Sequence, residues 1–181
     1  MYMFRSLLTL LAFSLISTPL PAFQPDTSDE FELEVQQAIV AIKARNPAIE
    51  AYFDHAAGYA VFPSVGKGGY IVGGGYGRGL VIVDGRVEGF TTLTEFSVGA
   101  QIGGQKFAEF IFFKDDVALN NFKRGNLEFG ASVSAVAVTA STTLDTSYDD
   151  GVAVFTHAAG GLMAAATVGG QKFTFEPKAG E

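Results

Sequence analysis

The sequence predicts an α+β fold: a bent antiparallel β-sheet or partial barrel of about eight strands, with two N-terminal helices and one short mid-chain helix. Three observations carry this. Apolar residues recur at helical spacing early in the chain, between Phe31 and Ala56. From Gly58 to Leu80, nine of 23 residues are glycine, set among Tyr59, Val61, Phe62, Tyr70, Ile71, Val72 and Tyr76. Each glycine costs a helix about 1 kcal/mol against alanine, whereas the β-branched and aromatic residues favour strands. That mixture marks bent strands, bulges or close backbone approach. Third, Asp84-Gly85 stands between two apolar runs, a strong short-range hairpin signal.

The elements follow in order. Thr27-Ser28-Asp29-Glu30 reads as a capping box with Thr27 as cap. Phe31, Val35, Ala38, Ile39 and Ile42 then form one helical face, which should end before Asn46-Pro47. A second helix is expected with Asn46 as cap, Pro47 at its first position and Gly58 as its stop. Leu80–Val83 and Arg86–Leu93 form the hairpin around Asp84-Gly85, and a separate strand runs through Phe96, Val98, Ala100 and Ile102. Lys106–Phe113 resumes the sheet. Asp115-Asp116 open a short helix that closes with Lys123-Arg124 and Gly125, charges that complement the helix dipole. Leu127–Thr143 is long enough for two strands, Asp145–Gly151 is a polar turn, and Val152–Thr156, Leu162–Val168 and Gln171–Phe175 are the last strands. Ile-Gly-Gly-Gln-Lys-Phe at 102–107 is echoed by Val-Gly-Gly-Gln-Lys-Phe at 168–173, as two equivalent corners of one sheet would be.

Residues 1–22 read as a secretory signal peptide: Arg5 is the positive region, Leu7–Ile16 the apolar one, and Leu20-Pro21-Ala22 the cleavage site. Residues 23–181 then form a single domain with a core over 38–175. The chain has no cysteine, which excludes disulfides, a lipid-modified cysteine and thiolate metal sites. Losing Arg5 leaves 11 of the 12 basic residues against 19 acidic ones, a net of −8. That balance disfavours nucleic acid and anionic membrane as bulk electrostatic partners. The charge is uneven, however: five acids fall within Asp26–Glu34, and Gly58–Val83 holds Lys67 and Arg78 with no acid. A locally positive glycine-rich segment on an acidic chain is a candidate binding face.

Catalytic and cofactor motifs are not met. A phosphate-binding loop would need glycine at Val61 and a hydroxyl at Gly68. Ser64 sits in half of a nucleophile elbow, with Phe62 where the first glycine belongs. His55 and His157 are the two histidines, and each reads more simply as an element-end residue than as a base. Asp145, Asp149 and Asp150 lack calcium-loop spacing and read as a solvated turn. Glu109, within Phe107–Phe113, is expected to point outward from an edge strand. The expectation is a protein without catalysis, cofactor or metal.

Gly58-Tyr59-Ala60-Val61-Phe62-Pro63, Lys67-Gly68-Gly69 and the glycines through Gly79 resemble the SYLF domain family, also described as an actin-binding domain family. Gly99–Gln105, Phe129-Gly130-Ala131, Gly151–Phe155 and Gly160–Phe173 extend the likeness from about Ala38 to Phe175, in the manner of the bacterial secreted branch. The resemblance implies a non-catalytic lipid-binding module. Eukaryotic members bind phosphoinositides, and yeast members also bind actin. Here the N-terminal segment is acidic where phosphoinositide-binding members are basic, and Val138–Thr142 replaces the family's glycine-proline-glycine-arginine-like element. Fold and a general lipid association therefore carry over, whereas actin binding does not.

The leading reading is a periplasmic or secreted lipid- or envelope-associated module with a phospholipid or membrane surface as partner. Phe62, Tyr70 and Tyr76 would make interfacial contacts, and Lys67 and Arg78 would meet head-group phosphates. The competing reading of the aromatics is that they are core. A small outer-membrane β-barrel and a hydrolase built on Ser64 are the alternatives.

Overall fold

The computed structural model describes residues 21–69, 72–98, 105–125, 128–129, 148–158, 161–162 and 170–179. Its first element is α1, Glu30–Arg45. The cap is Asp29 rather than Thr27: Asp29 Oδ1 accepts the N–H groups of Phe31 at 2.8 Å and Glu32 at 3.2 Å. Asp26 is occupied with its own turn, accepting from the Ser28 N–H at 2.8 Å. The buried Glu32 carboxylate reaches back to the Asp26 N–H at 2.7 Å and also accepts from Lys178 Nζ at 3.1 Å, which fastens the C-terminal segment to this helix start. Asp29→Ala should cost about 1 kcal/mol by loss of the cap, read as a lower thermal midpoint, whereas Thr27→Ala should change nothing measurable.

The helix ends at Asn46, and Pro47–Ile49 forms a single 3₁₀ turn leading into α2, Glu50–His55. Asn46 makes no side-chain cap. Gly58 does not stop the second helix either: Ala56 already leaves it in extended conformation, and Gly58 opens the first strand.

The strands are β1 (Gly58–Gly69), β2 (Val72–Val83), β3 (Arg86–Val98), β4 (Gln105–Phe113), β5 (Glu128–Phe129), β6 (Val152–Ala158), β7 (Gly161–Leu162) and β8 (Gln171–Pro177); α3, Asp116–Lys123, lies between β4 and β5. All pairings are antiparallel, in the order β5-β8-β3-β2-β1-β4-β6-β7. Among the described residues six strands of seven residues or more carry the sheet. β5 and β7 are two-residue ladders at its edges, so the sheet is open there. The strand expected around Phe96 to Ile102 is instead, as far as Val98, the continuation of β3, one ladder of 13 residues. Most of the Leu127–Thr143 and Leu162–Val168 expectations lie outside the described residues.

Local chemistry explains the joints. Asp84 and Gly85 both have positive φ, 49° and 73°, as the tight β2–β3 turn requires. Asp115 caps α3 by accepting the Ala118 N–H at 2.9 Å, and Gly125 ends it at φ 70°. Pro63 stands in β1, a central strand, where a missing N–H breaks the ladder. Both of that strand's ladders shift register around Pro63 in a β-bulge.

The sheet curls strongly. Gln171 of β8 and Glu109 of β4 are four strands apart, roughly 19 Å in a flat sheet. Yet Gln171 Nε2 donates to Glu109 Oε2 at 3.1 Å. Phe62 and Phe173, three strands apart, have ring centroids 5.8 Å from each other. The concave side holds Phe62, Val65, Leu93, Ile111, Phe113, Val154 and Phe173, closed by Leu119 and Phe122 of α3. The convex side holds Val61, Leu80, Ile82, Phe110, Phe112 and Phe155, covered by Val35, Ile39 and Ile42 of α1 and by Tyr52 and Phe53 of α2. Two apolar faces are thus buried by one sheet, and among the described residues no helix is long and apolar enough to cross a membrane.

Candidate functional site

The structure divides the five residues expected at a lipid face. Phe62 is fully buried in the concave core against Phe173. It is a core residue and cannot act at an interface: the bulge after it turns Val65 to the same side, so both pack inward. Tyr70 lies outside the described residues. Lys67 is placed by its backbone, opposite Gly75 of β2 and Gln105 of β4. Tyr76 and Arg78, two residues apart on β2, share the convex face. Tyr76 is 55% exposed. The Arg78 guanidinium lies over the Phe31 ring of α1, 5.0 Å from its centroid. An exposed aromatic and an exposed cation therefore stand together where β2 emerges beside the start of α1.

A second feature was not visible in the sequence. A groove of about 350 Å³ runs between α1 and the convex side of β1, β4 and β6. The bulge creates part of it, because Pro63 and Ser64 turn outward there. Ala38 and Ala41 on α1 and Ala108 on β4 leave the space between helix and sheet unfilled, since their side chains end at Cβ. Lys106, His157 and Ser64 supply polar groups on the sheet side, with Glu34 and Gln37 facing them from α1. The pairs Phe62–Glu109 and Val65–Phe107 bracket the bulge, so Ser64 faces Ala108, and Ala108 pairs in turn with His157. The three residues form a row across adjacent strands. Burial, and then the positive charge of Arg45, hold the His157 imidazole below its ordinary pKa. Its Nδ1 is buried without a hydrogen-bond partner. Proline in a strand was the available signal for an outward Ser64. Nothing in the sequence order says that β4 crosses to the far edge of β1 and brings β6 with it.

The row does not assemble a catalytic pair. Two strand spacings put the α-carbons of Ser64 and His157 roughly 10 Å apart, with Ala108 between them, and no hydrogen bond joins them. His55 stands elsewhere, its Nδ1 2.8 Å from the Ala51 carbonyl one turn back in α2.

Glu109 departs from expectation. β4 is a central strand between β1 and β6, and the Glu109 side chain points into the curl, fully buried. Gln171, which bonds it, pairs directly with the buried Glu95 on β3. Thr156, opposite Glu109 on β6, is buried beside them. These four residues lie in the concave interior, next to the apolar layer under α3. Asp149 and Asp150 occupy an exposed hairpin turn, with Asp150 at φ 48°. Asp145 lies outside the described residues.

No protein-family model matches the chain. The sequence is similar to Beta cell expansion factor A of Aeromonas veronii, 28% identical over an alignment of 155 residues that covers 82% of this chain and 59% of that protein, so the chain spans about three-fifths of the length of this relative.

Proposed function

We propose that the protein is a non-catalytic lipid-binding module of the SYLF type, exported to the periplasm or beyond, that meets a phospholipid surface through the glycine-rich β1–β2 region. The observation that carries this reading is the exposed Tyr76 beside the exposed Arg78, in a stretch without acidic residues on an otherwise acidic chain. A tyrosine with one wet and one apolar end suits the head-group level, and a cation beside it suits the phosphates. The resemblance in Gly58–Gly79 supports the same reading. With it goes the finer view of the fold, a partial barrel of about eight strands.

The outer-membrane barrel is the weaker reading. Such a barrel turns its apolar side chains to lipid and its polar ones inward. Here the concave side is largely apolar, and much of the apolar convex side is already covered by α1 and α2.

The test is flotation of residues 23–181 with vesicles of phosphatidylethanolamine, phosphatidylglycerol and cardiolipin, at low and moderate salt. Co-flotation should weaken with salt. Replacing Lys67 and Arg78 together by alanine should remove about 2 kcal/mol of binding, roughly thirtyfold in partitioning, at about 1 kcal/mol per basic residue near an anionic surface. Unchanged flotation of the double variant would overturn the face, and no flotation with any lipid would overturn the function.

A further inference from the structure

We propose that the groove between α1 and strands β1, β4 and β6 binds a single-chain amphiphile with an anionic phosphate head. The head would lie against Lys106, His157 and Ser64, and the chain over Ala38, Ala41, Ala108 and Pro63. The inference rests on the lipid reading above for its ligand class but concerns a neighbouring place, the groove that runs from Ser64, which pairs with Arg78, across to His157.

The geometry supplies each part. The groove's volume, about 350 Å³, lies at the small end of ligand pockets, suited to one short chain rather than two. Apart from Phe107, its apolar lining is made of small residues, which leave room for a chain to lie along it. At the sheet end, Lys106 contributes a full positive charge and Ser64 an exposed hydroxyl. Arg45, at the C-terminal end of α1, adds positive potential at His157. One carboxylate faces this group from the helix, Glu34, and it lies exposed on the solvent side. The buried, unpartnered Nδ1 of His157 is the second sign of a ligand, because buried polar atoms in native proteins are almost always bonded. Burial and then Arg45 lower the pKa of His157, and an anion beside it would raise it again. A phosphate monoester accepts hydrogen bonds from an ammonium, an imidazolium and a hydroxyl together, the donor set present here.

Two histidines in the chain make the test direct. Imidazole resonances of His55 and His157 are followed by NMR across pH, assigned through His55→Gln. The probes are octyl phosphate below its micellar concentration, inorganic phosphate and octanol. Octyl phosphate should raise the pKa of His157 and leave that of His55 unchanged, since His55 sits apart at the end of α2. Binding of octyl phosphate should exceed that of inorganic phosphate by about tenfold or more, the contribution of a buried chain. Ala41→Trp, at an exposed position that leaves the core untouched, should fill the groove and abolish the shift, and Lys106→Glu should do the same by charge. No His157 shift with octyl phosphate would overturn the proposal. Equal affinity for inorganic phosphate would overturn the amphiphile and leave a plain anion site, and a shift that survives Ala41→Trp would overturn the location. Vesicle flotation of Ala41→Trp separates the two readings: if it persists while His157 does not respond, the surface face stands and the groove falls.

Discussion

Phe112→Ala should lower the free energy of unfolding by about 3–5 kcal/mol, a large share of the roughly 5–15 kcal/mol that holds an ordinary domain folded. Phe112 lies on the convex side of β4, fully buried, at the centre of the layer that joins α2 to the sheet. Its ring touches four others: Phe53 at 4.8 Å, nearly perpendicular; Tyr52 and Phe155, each at 5.5 Å; and Tyr59 at 5.9 Å. Truncation loses the transfer energy of the ring and leaves a cavity. The cavity closes poorly, because the surrounding rings are themselves fixed by edge contacts with one another, Phe53 with Tyr59 and Tyr52 with Phe155. Urea denaturation followed by circular dichroism measures the loss. Phe112→Leu, which keeps most of the volume, should cost markedly less. An alanine variant within 1 kcal/mol of the parent would mean that α2 is not seated on the sheet as described.

Gly79→Ala should cost about 3 kcal/mol, the upper range for overpacking a core, though it adds a single methyl group. A Cβ at Gly79 would stand 2.6 Å from the Val61 carbonyl oxygen and 2.7 Å from the Phe62 ring. The first is backbone in the neighbouring central strand, and the second is a fully buried ring braced by Phe173, so neither gives way cheaply. Gly66→Ala is the matched control from the same segment. Nothing lies within 4 Å of its Cβ position and its φ needs no glycine, so alanine there should be neutral or stabilise by about 0.4–1 kcal/mol through the unfolded state. Thermal midpoints of the two variants decide the matter. Equal midpoints would mean that the glycine density reflects composition and not contact.

That pair shows how far the sequence could be read. Glycine density signalled close backbone approach, but not which glycines meet another strand and which face solvent, because only the register assigns Gly79 to the crowded side. The Asp84-Gly85 turn and the α3 boundaries were legible, since each depends on a few adjacent residues with one favourable geometry. Glu109 was not. A strand buried on both faces has no alternation to read, so Phe107–Phe113 gave no sign of which side its carboxylate takes, nor that a glutamine 62 positions later would meet it. The helix cap was misplaced by two residues because two acceptable caps, Thr27 and Asp29, stand in one tetrapeptide. Of the expected site, Tyr76 and Arg78 were found together on one face, whereas Phe62 lies on the concave side of a central strand, where the residues flanking the bulge, Phe62 and Val65, both face inward. Ser64 and His157 were each noticed, but their shared groove depends on β4 passing to the far edge of β1, a choice made by the whole sheet.

The Pro63 bulge also determines how this chain tolerates changes of length. Beyond the bulge β1 runs half a pleat out of step with its first part, and Val65 shares the side of Phe62 only because the bulge takes up one extra residue. Removing Pro63 or Ser64 would take out that extra residue: Phe62 and Val65 would stand two apart, both still inward, with their pairings to β2 and β4 kept and the pleat unbroken. A residue lost from the regular part of the strand, Ala60 or Val61, has no such slack and would exchange the two sides of the strand on one side of the gap. The chain should thus accept a deletion at 63 or 64 but none at 60 or 61, a parity constraint that comes from the residue count and not from any side chain.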